Sequence, residues 1–147
     1  MQKIEEIIKH LRAPYMSGIE RSRSRIKETS EIFTPTELVQ EILNQLPEEL
    51  FKDSTKTFCD PSCGDGQFLS EILIRKIQNG IKLETALSTI YGVDIMEDNV
   101  NLCRKRLLCN NYNLQYIVNK NIICADGLTY NYLFGEKETI VKNILEF

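Results

Sequence analysis

The chain has 147 residues, of which 42% are hydrophobic and 27% charged, with 7 Gly, 4 Pro and a formal net charge of −3. That length suits one domain with a true core, burying about two thirds of its unfolded surface, and the balanced composition excludes collagen-like, low-complexity and disordered classes. No stretch approaches the roughly 18 apolar residues of a membrane span, and MQKIEEIIKHLRAP mixes charges into its apolar positions, so the chain reads as untargeted, off the membrane and cytoplasmic.

Residues 2–12 place Ile4, Ile7, Ile8 and Leu11 at helical spacing, with Pro14 behind them, so a first helix is expected. The basic run RSRSRIK follows, where Arg21, Arg23, Arg25 and Lys27 alternate with small or apolar residues and form a candidate DNA phosphate contact. TPTE at 34–37 then reads as a helix start, with Thr34 as N-cap, Pro35 at the first helical position and Glu37 completing a capping box. Leu38, Val39, Ile42, Leu43 and Leu46 continue it as one apolar stripe that ends before Pro47.

TKTFC (55–59) predicts a strand running into the Gly-rich turn DPSCGDGQFL. Phe68, Leu69, Ile72, Leu73 and Ile77 repeat at helical spacing up to the stop signal Asn79-Gly80. STIYGVD (88–94) reads as a second strand, EDNVNLCRKRLL (97–108) as a second helix of this kind, and NIICAD (121–126) as a third strand. Alternating strands and helices imply an α/β fold with a mostly parallel sheet and right-handed crossovers.

The five cysteines, at 59, 63, 103, 109 and 124, are odd in number and sit in apolar runs, which argues for free thiols in a reducing compartment. Neither Cys59-x3-Cys63 nor Cys103-x5-Cys109 has zinc-site spacing, so no metal is expected. His10 is the single histidine, with no nucleophile or acid grouped beside it.

The acids carry more chemistry. Asp60, Asp94 and Asp126 are expected at the carboxyl ends of the three strands, along one rim of the sheet, where open parallel sheets bind ligands. A carboxylate there can accept from an ammonium group or from ribose hydroxyls, and Gly64 and Gly66 let backbone approach a ligand closely. The dinucleotide pattern G-x-G-x-x-G fails, because Leu69 stands where the third glycine belongs. Asp60 would also repel pyrophosphate. A ligand cationic near Asp60 and ribose-bearing near Asp94 fits, and S-adenosylmethionine meets both conditions.

FTPTELVQEIL, DPSCGDGQFL, GVDIMEDNV and CADGL, in this order, resemble the successive cofactor-binding motifs of the adenine N6 DNA methyltransferases, above all the gamma-type enzymes of restriction-modification systems. The similarity covers residues 15–128 and implies a truncated Rossmann-like class I methyltransferase fold with an N-terminal helical segment. Residues 1–30 would be the helix and basic linker, and 31–147 the S-adenosylmethionine-binding domain. By this resemblance Phe33, Thr34 and Pro35 wrap the methionine end of the cofactor. Asp60 takes its amino group, and Pro61, Ser62, Cys63, Gly64 and Gly66 shape the loop. Asp94 holds the ribose hydroxyls, Ile95 packs on the adenine, and Asp126, with Gly127 and Leu128 beside it, accepts from the adenine amino group.

The family's catalytic motif, Asn/Asp/Ser-Pro-Pro followed by Tyr or Phe, is missing: the prolines are Pro14, Pro35, Pro47 and Pro61, and none follows CADGL. DNA methylation by these residues alone is therefore not expected. In the family's strand order the first strand pairs with a fourth, so TIVKNIL (139–145) is expected either to fold back as a substitute strand or to leave an edge for a partner, either a second copy or another methyltransferase chain. Two functions follow: a subunit or fragment of an adenine-specific methyltransferase, or a non-catalytic S-adenosylmethionine-binding module that regulates another chain.

Overall fold

A computed structural model describes residues 2–13 and 34–136. The elements run α1 (Ile4–Leu11), α2 (Thr36–Leu43), α3 (Glu49–Lys52), β1 (Phe58–Asp60), α4 (Gln67–Gln78), α5 (Leu83–Leu87), β2 (Ile90–Asp94), α6 (Glu97–Leu108), α7 (Gln115–Asn121) and β3 (Ile122–Cys124), with a 3-10 turn at Tyr112–Leu114. Among the described residues the sheet has the order β1-β2-β3 and both pairings are parallel. The expected alternation of strand and helix is therefore the architecture: a small parallel sheet flanked by helices, as in a truncated Rossmann-like fold.

Helix α4 is central. Leu69, Leu73, Ile72 and Ile77 are buried along it, against the sheet and the surrounding helices, and burying each such side chain contributes about 1.5–3 kcal/mol. Gly92 in β2 has no room for a side chain, because a β-carbon there would come within 2.8 Å of Leu69 Cδ1 and 3.0 Å of Cys63 Sγ. Phe58 turns towards the same helix and stacks on Phe51 with ring centroids 5.3 Å apart. Lys76 lies over the Phe58 ring and donates to Lys56 O at 2.8 Å. On the other face of the sheet Tyr91 meets Phe134, 4.8 Å between centroids, and Phe134 also touches Tyr130 and Tyr132.

Helix α1 joins this core through Ile7 and Leu11. Its C-terminal end is fixed by two cations. Arg12 makes a two-pronged contact with the buried Glu71 of α4, at 3.1 and 2.9 Å, and Gln40 of α2 donates to the same carboxylate at 2.9 Å. Arg106, 2% exposed, donates to Leu11 O at 2.8 Å and to Gln67 Oε1 at 2.7 Å and pairs with the buried Asp65 at 3.5 Å. One buried guanidinium thus ties α1, α6 and the loop ahead of α4 together.

Several sequence expectations need correction. Thr34 is not the N-cap of α2: Pro35 holds that place, the helix begins at Thr36, and no side chain caps it. The Thr34 carbonyl is instead engaged by Gln67 Nε2 at 2.7 Å, a tertiary bond that sets where the helix can start. Of the α2 stripe only Val39 and Leu43 are buried, while Leu38, Ile42 and Leu46 face outwards. The strands are shorter than their apolar runs: Thr55, Lys56 and Thr57 precede β1, Ser88 and Thr89 close the turn after α5, and β3 stops two residues before Asp126. Helices α3, α5 and α7, with four, five and seven residues, are too short to print a periodicity. All five cysteines are free, and burial pushes Cys109 up to about 12. No helix among the described residues is long and apolar enough to cross a membrane. The basic run at Arg21, Arg23, Arg25 and Lys27, Phe33, and the TIVKNIL segment lie outside the described residues.

Removing Arg106 takes away a buried guanidinium 3.5 Å from the buried Asp65 carboxylate, together with its bonds to Leu11 O and Gln67 Oε1. Arg106→Met is expected to lower unfolding free energy by about 3–5 kcal/mol, against less than about 0.5 kcal/mol for Lys105→Met on the exposed face. Urea unfolding followed by circular dichroism checks the difference.

Candidate functional site

A cleft of about 350 Å3 opens at the carboxyl ends of β1 and β2. Parallel register creates it: Asp60 pairs with Gly92, so Asp94 projects two residues beyond the end of β1, and the 61–66 loop must turn around it. The loop is pinned at several points. Cys63 N donates to Val93 O at 2.9 Å, Ser62 N to Asp60 Oδ1 at 3.0 Å, and Gly64 N to Asp94 Oδ1 at 3.2 Å. Gly64 and Gly66 take φ of 55° and 96°, which glycine adopts without penalty. At Gly66 a β-carbon would also stand 2.9 Å from Cys103 Sγ, so close packing on α6 demands glycine there as well.

The cleft is acidic. Three aspartates, Asp60, Asp65 and Asp94, are among its lining residues, and among the described residues no Lys, Arg or His is. Asp65 is spent on Arg106 underneath the loop. Asp60 is half-buried, and loss of solvent raises its carboxyl above the ordinary aspartate range; the Ser62 amide works against that rise and the neighbouring Asp94 adds to it. Asp94, 8% exposed, accepts from Gly64 N at one oxygen and from Met96 N and Asn99 Nδ2, both at 3.1 Å, at the other. A hydrogen bond with Cys103 and burial push the Cys63 thiol well above its ordinary value, and at 4% exposure it packs as a small core group.

Of the residues singled out in the sequence, Thr34, Asp60, Pro61, Ser62, Cys63, Gly64, Asp94 and Ile95 line this one cleft. Pro35 and Gly66 support it from behind, as the caps of α2 and α4. Asp126, Gly127 and Leu128 do not line it. Asp126 is exposed and accepts from Leu128 N at 2.9 Å in a tight turn, and Leu128 is 95% exposed. The turn still touches the site, because a side chain at Gly127 would collide with Pro61 O. Gln67, Phe68, Met96 and Asn99 also line the cleft and escaped the sequence reading. Their signal was faint: Gln67 and Asn99 are polar residues in the first turns of α4 and α6, where a side chain leans back towards the strand end.

Comparison with known proteins agrees with the motifs. The family model for N-6 DNA methylases matches residues 20–144. The type II methyltransferase M.VspI of Vibrio sp. (strain 343) is 32% identical over 111 residues, 74% of this chain and 23% of that protein. The methylase subunit of the type I restriction enzyme MpnII of Mycoplasma pneumoniae (strain ATCC 29342 / M129 / Subtype 1) is 34% identical over 103 residues, 70% of this chain and 17% of that protein. The chain thus spans less than a quarter of the length of either curated relative, and no solved structure matches it. With the family model covering most of its residues and the acidic cleft lying where its motifs converge, the chain belongs to the N-6 DNA methylase family.

Proposed function

We propose that these residues form the S-adenosylmethionine-binding part of an adenine-specific DNA methyltransferase of a restriction-modification system. The observation that carries this reading is the cleft itself: acidic, free of basic lining among the described residues, and built on a glycine loop at the strand ends. Its volume of about 350 Å3 lies within the range of small-ligand sites, about 300–1,000 Å3. A polyphosphate would be repelled here, whereas a cationic, ribose-bearing ligand is attracted.

Within that reading Asp60 accepts from the methionine ammonium, and the amino end of α4 offers its positive dipole to the methionine carboxylate. Asp94 faces the ribose and Ile95, exposed at the rim, packs on the adenine. Phe33, Thr34 and Pro35 close the methionine end. Asp126 and Leu128 reach the adenine once the 126–130 turn folds over the cleft mouth. When bound, the cofactor supplies an electrophilic methyl group on a sulfonium; the protein's part is to bind, orient and shield it. Little acid-base chemistry is required, which fits a site without histidine.

The Pro-Pro-aromatic loop that would receive a flipped adenine is not in these 147 residues. It must come from further chain or from a partner methyltransferase subunit. β1 lies at the sheet edge among the described residues, and an open edge is a template for a further strand from such a partner or from a second copy. DNA contacts through Arg21, Arg23, Arg25 and Lys27 complete the proposal.

Calorimetric titration with S-adenosylmethionine is expected to give saturable binding that Asp60→Ala and Asp94→Ala each weaken by about tenfold or more, since a charged hydrogen bond is worth about 1.5–3 kcal/mol. A folded chain with no binding would sink the proposal. Asp60 must be ionised to hold an ammonium, and its carboxyl is raised by burial. Affinity should therefore be complete well above the carboxylate range and decline as pH falls, starting above the ordinary aspartate pKa of about 3.9; in Asp60→Asn that decline should vanish. Light scattering should find a dimer, or a heteromer when a methylase subunit carrying the catalytic loop is added. A strict monomer under both conditions counts against the edge-pairing role.

A further inference from the structure

Gln67 opens α4 directly behind the glycine loop, is 6% exposed, and lines the cleft. Both ends of its amide are committed. Oε1 accepts from Arg106 Nη2 at 2.7 Å, and Nε2 donates to Thr34 O at 2.7 Å. Chemistry fixes which end faces which, since a guanidinium only donates and a backbone carbonyl only accepts. The position therefore demands a side chain of this length with an acceptor at one corner and a donor at the other.

The two bonds act on different parts of the molecule. Thr34 lines the cleft just ahead of α2, and the start of that helix has no side-chain cap of its own. Its place is set from 33 residues away in sequence, by the Gln67 amide. The other bond supplies an acceptor to a buried guanidinium that also serves Leu11 O and pairs with Asp65. One end of Gln67 thus holds the cleft wall, and the other end holds the core.

We infer that Gln67 is a positioning residue for the ligand: it fixes the Thr34 wall, and so sets affinity for the methionine half of S-adenosylmethionine without adding to affinity for the adenosine half. This rests on the cofactor reading above, in which Thr34 and Pro35 close the methionine end while Asp94 and Ile95 hold the nucleoside.

Two substitutions separate the bonds. Gln67→Glu keeps an acceptor for Arg106 but turns a lone pair towards Thr34 O, whereas Gln67→Met keeps the length of the side chain and removes both bonds. The whole chain is titrated calorimetrically with S-adenosylhomocysteine and with 5′-methylthioadenosine, which lacks the amino-acid end. Each variant is expected to lose about threefold to tenfold in affinity for S-adenosylhomocysteine and less than about twofold for 5′-methylthioadenosine, in line with one lost hydrogen bond. Methionine carries no charge, so a loss shared by both variants does not come from the added carboxylate. Only Gln67→Met, which strips an acceptor from Arg106, should also unfold at a lower urea concentration. A Gln67 that served the core alone would change both ligands alike or neither. Equal losses for the two ligands, or unchanged affinity for S-adenosylhomocysteine in either folded variant, would overturn the inference. If neither variant folds, the wild type decides by nuclear magnetic resonance: the Gln67 side-chain amide signals should shift with S-adenosylhomocysteine and stay in place with 5′-methylthioadenosine, and equal shifts overturn it. A folded wild type that binds neither ligand would remove the cofactor reading and the inference with it, an outcome distinct from equal losses.

Discussion

A single buried guanidinium holds the arrangement together. Arg106 leaves α6, crosses beneath the glycine loop, donates to the last carbonyl of α1 and to the Gln67 amide oxygen, and stands 3.5 Å from the Asp65 carboxylate as an ion pair. A charge taken out of water is costly unless it is paired and hydrogen-bonded on several sides, and here it is. Gln67 then uses its free end to hold Thr34 O, so the entry to α2 is set by the same cluster. The two chain segments on either side of residues 14–33 therefore end at one buried polar network, which also underlies the loop facing the cleft.

The network explains why an acidic loop can sit at a strand end without falling apart. Three aspartates crowd the cleft, but they are not equivalent. Asp65 pairs with Arg106, Asp94 accepts from three donors, and Asp60 accepts from the Ser62 amide while burial raises its carboxyl. Three carboxylates in one cleft thus sit in three different environments. This division suits a family whose chemistry asks for alignment more than for proton transfer.

How much was legible in advance differs from element to element. Helix α6 falls on residues 97–108 as its pattern predicts, and α4 ends at Asn79-Gly80, because amphipathic spacing and a glycine stop are local signals. The three parallel strands follow from alternation. Asp60, Asp94 and Gly64 meet in one cleft as expected, since strand ends of a parallel sheet share a rim. Asp126 misses that cleft because β3 stops at Cys124 and its carboxylate closes a turn of its own. The α2 stripe is only half buried, as amphipathicity states which face is apolar and not whether anything covers it.

Sequence by itself determined the fold class, the family and the order of the motifs, because short-range spacing and turn chemistry are written residue by residue. Tertiary structure decided where α2 begins, which aspartate is spent on Arg106, and that Asn99 shares Asp94 with the loop. Each of those depends on side chains from distant segments competing for one buried donor or acceptor: 95 residues separate Arg106 from Leu11, and 30 separate Gly64 from Asp94. No local pattern records the outcome of that competition; it is settled only when the segments pack and water is excluded.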